Sequence, residues 1–222
     1  MKPIFVACAT ALLLTCAGGV KAAAPRTWAE GGQLFYSDDT GNPQAIGRGQ
    51  RDRDPVLSPD GRTLAYVHDD APDPKVAVPH STLWTFDLLH GVTVLAVRAH
   101  ASTAPGHDFT RLNHPTWALD GRTVYVMAQA WVTSDSVHAV DTVTHTEHYI
   151  CPGNSLAVIR NGPYRGDLLV SQHRYHAAGG SYDPTFVVRP NGKEVMMVPG
   201  ADGEDDEAGI ARWLKSNGWA AS

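Results

Sequence analysis

Cysteine is scarce in this 222-residue chain: Cys8 and Cys16 fall in the amino-terminal stretch, and Cys151 stands alone. A solitary thiol makes no internal disulfide, so packing has to hold the fold. Cys151 reads more simply as a buried, inert thiol than as a nucleophile. Basic runs are missing as well. An acidic surface without them argues against nucleic acid or an anionic membrane as partner. Long apolar runs are also absent, and the one apolar stretch, residues 4–14, is too short to span a bilayer. No Gly-x-Ser-x-Gly elbow occurs, so nothing marks a hydrolase nucleophile. Asp69-Asp70 and the acids between 204 and 207 read as solvated loop and helix-start carboxylates.

What the chain has begins with a leader. Lys2 precedes the apolar stretch, and small residues follow at Val20-Lys21-Ala22, in the order of a secretory signal peptide over residues 1–22. Leu13-Leu14-Thr15-Cys16 resembles a lipobox, which leaves a lipid anchor through Cys16 as an alternative to a free periplasmic or secreted protein. Removing the leader takes away two lysines and no acid, so 16 basic residues face 23 acidic ones. No transmembrane segment is expected in the mature chain.

A repeat organises the remainder. Pro55 and Asp60-Gly61-Arg62-Thr63 recur as Pro115 and Asp120-Gly121-Arg122-Thr123, always 60 positions on. A fixed offset is the mark of an array. Each copy reads as strand, turn, strand, with Asp-Gly expected to supply a two-residue type I′ hairpin. Two further strands follow in each unit, closed in the first by His90-Gly91, to make a four-stranded meander. The second unit is six residues shorter between its inner and outer hairpins, as the absence of the proline-rich loop 68–81 requires. A looser third unit runs from Ser155 to Val198, with a hairpin at Pro190-Asn191-Gly192 and a long turn over 173–183. Ahead of the first unit, one strand at 33–37 and a partner at 44–46 read as an outer hairpin. After residue 200, acids precede Ile210, Trp213 and Leu214, which share one helical stripe before Gly218, so a short docked helix is expected.

Ser58-Pro59-Asp60-Gly61-Arg62 followed by Leu64-Ala65-Tyr66 resembles the repeat motif of TolB-like (WD-like repeat) β-propellers. The second copy has Ala118-Leu119 in place of Ser-Pro, and the third retains only Asn191-Gly192 with Lys193. The resemblance implies an all-β fold over residues 27–200, a propeller or partial propeller of about three to four four-stranded blades, with residues 201–222 as an acidic segment and helix. TolB-like propellers usually have six blades. An array of three and a half either closes with the 33–46 hairpin or stays open and buries its ends, which would make a homodimer. The same units occur in peptidase propellers, but the motifs are structural and carry no catalysis.

Function is therefore sought in what does not repeat. Trp131, Gln172, His173, Arg174, Tyr175, His176, Tyr182 and Asp183 crowd loops with side chains that favour binding, and long ordered loops in β folds usually have a role. The expectation is a non-enzymatic module without cofactor that binds a protein of the cell envelope through these loops. The alternative is a metal-dependent, lyase-like enzyme on an acidic sugar. It would use His114 with His173 and His176, following the resemblance to oligogalacturonate lyases, where histidines and a Gln hold a divalent metal.

Overall fold

The computed structural model describes residues 24–38, 40–72, 80–131, 134–201 and 207–217. The expected leader with Cys16, residues 73–79 of the proline-rich loop, and Gly218 lie outside them.

Four antiparallel sheets follow one another along the chain. The first holds β1 (Arg26–Glu30), β2 (Gln33–Ser37) and β3 (Pro43–Ile46). The second holds β4 (Asp52–Leu57), β5 (Thr63–Asp69), β6 (Ser81–Asp87) and β7 (Val92–Arg98). The third holds β8 (Leu112–Trp117), β9 (Thr123–Gln129), β10 (Asp135–Asp141) and β11 (Thr146–Gly153). The fourth holds β12 (Ser155–Val158), β13 (Leu168–Ser171), β16 (Thr185–Val188) and β17 (Glu194–Met197). A small hairpin, β14 (Arg174–Tyr175) and β15 (Ser181–Tyr182), stands between β13 and β16, and α1 (Glu207–Ser216) follows the last strand.

Strand periodicity explains the stacking. Successive side chains on a strand point to opposite faces. On β5, Leu64 and Tyr66 pack with Leu34 and Ile46 of the first sheet, whereas Ala65 and Val67 pack with Leu112, Trp117 and Val124 of the third. On β9, Val124 and Val126 face back while Tyr125 packs forward with Leu168 and Val170 of the fourth. Ile210, Trp213 and Leu214 of α1 then pack with Val187 of the fourth sheet and with Val198 just after it, the docking expected from the helical stripe.

The 60-residue offset is a repeat in space. Arg51 (φ 76) and Arg111 (φ 44) are both left-handed, as are Asp54 (φ 52) and His114 (φ 48). The β4–β5 register shifts between Arg53 and Val56, and the β8–β9 register between Asn113 and Thr116. Each innermost strand thus carries the same bulge.

The turn chemistry differs from the expected two-residue hairpin. Only Gly61 (φ 72) and Gly121 (φ 65) are left-handed in their turns. Ser58 N–H bonds Thr63 O at 2.8 Å and Ala118 N–H bonds Thr123 O at 2.9 Å, so the loops are longer. The aspartate acts through its carboxylate: Asp60 Oδ1 accepts from Ser58 Oγ (2.6 Å) and Arg62 N–H (3.1 Å), and Asp120 Oδ1 from Arg122 and Thr123 N–H (2.8 and 2.9 Å). A two-residue turn with both φ positive does occur, at Gly31 (φ 58) and Gly32 (φ 79), where it joins β2 to β1.

Candidate binding face

In an up-and-down sheet, the loop between the second and third strands leaves from the same edge as the connection to the next sheet. Trp131, Ser134 and the 172–184 loop therefore share an edge with the 99–111 connection and with residue 154. Contacts bear this out. Trp131 lies against Gly106, so closely that a Cβ there would come within 1.9 Å of the indole. Trp131 N–H also bonds Ser134 O at 2.8 Å, which closes its turn.

Tyr175 of the β14–β15 hairpin, inserted between the second and third strands of the fourth sheet, lines the same cleft as that ring. Gly179 (φ 93) and Gly180 (φ 88) turn the hairpin, and His176 N–H bonds Gly180 O at 3.0 Å. Trp131, Ser134, Pro152, His173 and Tyr175 line a cleft of about 290 Å³ between the third and fourth sheets. Trp131 is 41% exposed and Tyr175 75% exposed, so both rings are open to an incoming partner. The His173 ring meets Tyr175 edge-on with centroids 5.0 Å apart, and its Nδ1 lies 2.9 Å from Asp183 Oδ1.

The other singled-out residues divide between support and separation. Gln172 is fully buried; its Oε1 accepts from Arg174 Nη2, and its side chain lies beside the Cys151 thiol. Arg174 also pairs with Glu194 on β17 and stands 5.3 Å above the Phe186 ring. These two side chains fasten the hairpin to the fourth sheet. His176 stacks on Tyr182 at 4.2 Å, away from the cleft lining. His114 lines another cavity, about 240 Å³, with Met127, Asn154 and Ser155. Among the described residues, no three His, Cys, Asp or Glu side chains gather as metal ligands.

Three other groups resemble chemistry. Cys151 is buried, and desolvation pushes its thiol up to about 12, so it is not a thiolate at neutral pH. Ser136 Oγ lies 2.7 Å from His138 Nε2, whose Nδ1 lies 2.6 Å from Glu147 Oε1. That order is Ser-His-carboxylate, yet Ser136 and His138 are wholly buried and Ser136 Oγ donates to Ala128 O at 3.2 Å, so no substrate reaches the hydroxyl. Asp69, expected to be a solvated loop acid, is instead held by the Arg53 guanidinium at 2.8 and 2.9 Å and by Ser81 Oγ at 2.8 Å. Burial works to raise its carboxyl, but those bonds outweigh it and hold Asp69 below the ordinary aspartate range.

Comparison with protein-family models and with curated proteins found no match. Solved structures do match. The β-propeller domain of the Trilobed protease from Pyrococcus furiosus is 15% identical with a TM-score of 0.51, covering 73% of this chain and 47% of that one. Dipeptidyl peptidase 4 from Porphyromonas gingivalis is 10% identical with a TM-score of 0.55, covering 81% of this chain and 31% of that one. The chain is built of β-propeller blades. Among the described residues, three four-stranded blades and one three-stranded sheet make a partial propeller, the fold that the TolB-like motifs imply. TolB from Acinetobacter baumannii is also similar, at 14% identity and a TM-score of 0.49, over 80% of this chain and 42% of that one. The propeller spans less than half the length of each of these three structures.

Sequence reasoning grouped Trp131, His173 and Tyr175 with five other loop residues as binding candidates, and the fold places these three on one cleft. It missed Ser134 and Pro152 as lining, and neither carries a signal in sequence that would have marked it.

Proposed function

We propose that this chain is an exported, non-enzymatic binding protein that holds a protein partner of the cell envelope on one face of its blades. The observation that carries this reading is the cleft lined from neighbouring blades by Trp131 and Tyr175, both exposed. Exposed aromatics on a rigid β scaffold are suited to anchor a partner at low entropic cost. The leader over residues 1–22 supports export, and no helix among the described residues is long and apolar enough to cross a membrane.

Capture from cell-envelope fractions tests it. Wild-type protein should retain a specific partner that a Trp131→Ala/Tyr175→Ala variant loses while keeping its far-UV spectrum; retention by the variant refutes the cleft as the site. Metal analysis separates this reading from the metal-dependent one: a stoichiometric divalent ion lost in His173→Ala/His176→Ala overturns it. Homodimerisation through the ends of the array is read from the mass in solution.

A further inference from the structure

We infer that the cleft takes a cationic side chain, so that the partner presents a lysine- or arginine-bearing segment to it; this rests on the cleft being the partner site. Its walls carry three π-systems, those of Trp131, His173 and Tyr175. A cation over such faces is attracted by the ring quadrupole, and Trp gives the strongest attraction.

The rings are set in advance of binding. Trp131 is backed by the Gly106 main chain, where any side chain would collide with it. His173 is oriented by Asp183, because a carboxylate 2.9 Å from Nδ1 accepts the proton carried there. In the tautomer with its proton on Nδ1, the ring has Nε2 as an acceptor, able to take an N–H from an ammonium or guanidinium group.

Charge selects in the same direction. Asp183, half exposed, sits directly behind His173. Among the described residues no lysine or arginine lines the cleft, and the neighbouring guanidinium, Arg174, is already paired with Glu194. The chain as a whole carries 23 acidic against 18 basic residues. An acidic ligand would meet repulsion and no donor of opposite charge, whereas a basic one gains from both the rings and the field. Ser134 and His173 also make the lining too polar for a purely apolar plug.

The test is an NMR titration of the whole protein with two five-residue peptides, acetyl-Gly-Gly-Lys-Gly-Gly-amide and its norleucine counterpart, which keeps the chain length and removes the charge. The Trp131 indole N–H is the readout, assigned by its loss in Trp131→Phe. The lysine peptide should shift it saturably and bind at least severalfold more tightly than the norleucine peptide. Tyr175→Ala should weaken the lysine peptide roughly two- to fivefold, the size of an exposed cation–π contact, and Asp183→Asn should weaken it while leaving the norleucine peptide unchanged. Equal binding of both peptides, or no shift with either, overturns the inference. If a captured partner is lost in Tyr175→Ala while the two peptides bind alike, the partner site stands and its preference for a cation falls. If the lysine peptide binds selectively but no partner depends on Trp131 and Tyr175, the reverse holds.

Discussion

The second and third sheets share a backbone and differ in what their side chains do with it. Left-handed residues recur at Arg51 and Arg111, Asp54 and His114, Gly61 and Gly121, and, at an offset of 54, Gly91 and His145. Within that common frame the second sheet places Arg53 at the bulge, where it grips Asp69 and reaches Leu112 O of the next sheet at 2.6 Å. The third places Asn113 there, which reaches Asp135 Oδ2 at 3.3 Å. Trp84 Nε1 donates to Thr82 Oγ1 at 2.8 Å in the second; His138 Nε2 meets Ser136 Oγ at 2.7 Å in the matching positions of the third. His138 continues through Glu147 to His100 Nε2 at 3.0 Å, and so ties the 99–111 connection to its own blade. Turns and bulges set the blade, and the positions between them are free to carry different linkages.

The largest expected break in the comparison is at the end of the innermost strand. Trp117 and Leu57 occupy equivalent positions, but Trp117 is 1% exposed and donates its Nε1 to Val56 O at 3.0 Å, whereas Leu57 is half-buried. Trp117→Ala opens a cavity and removes a hydrogen bond between two blades, and should cost about 3–5 kcal/mol. Leu57→Ala should cost roughly 1–2 kcal/mol, since only part of the side chain leaves contact. Urea unfolding of both variants measures the gap; equal losses would mean that the blades do not pack through this residue.

Next come the two carboxylates. Burial works to raise the Glu147 carboxyl, but the bond to His138 and the charges of His138 and His100 hold it below the ordinary glutamate range. Asp69 is lowered too, although its side chain is one-third exposed. Glu147→Gln should cost about 2–3 kcal/mol at neutral pH, as a charged hydrogen bond to a buried partner is lost; Asp69→Asn should cost nearer ~1 kcal/mol because solvent screens its pair. Both folded values lie below the unfolded ones. The contribution is therefore present above the ordinary carboxylate range of about 4 and is lost as pH falls through the folded value. Denaturation curves of wild type and Glu147→Gln should converge in acid, and a gap that persists there would show that the charge is not what Glu147 contributes.

These contrasts also show what the sequence could and could not reveal. The Asp-Gly motifs exposed the array because turn chemistry is local, and the Ile210, Trp213 and Leu214 stripe exposed α1 for the same reason. Strand β1 was hidden because Arg-Thr-Trp-Ala-Glu has no buried alternation, none of its residues being fully covered. The β14–β15 hairpin read as a long turn because two-residue strands leave no period. Residues of the candidate cleft were legible one at a time, as aromatics in stretches that do not repeat. Their meeting depends on how blade faces blade, because Trp131 and His173 lie in connections of different sheets.

The smallest effect tests the idea that the turn sets the backbone whatever residue fills it. Gly91 (φ 67) and His145 (φ 59) close the outer hairpins of the two sheets, each donating its N–H to the aspartate four residues back at 2.9 Å. A Cβ at Gly91 would meet nothing within 4 Å, so Gly91→Ala should reveal the left-handed penalty alone, about 1 kcal/mol. At His145 that penalty is already present in the native chain. It is partly offset by the ring, whose Nδ1 reaches Ala96 O of the preceding sheet at 3.2 Å. His145→Gly would relieve the strain and lose that bond, each worth roughly 1 kcal/mol, so stability should change by less than about 0.5 kcal/mol. A large loss in His145→Gly would mean that the bond between blades, and not the turn, holds this corner in place.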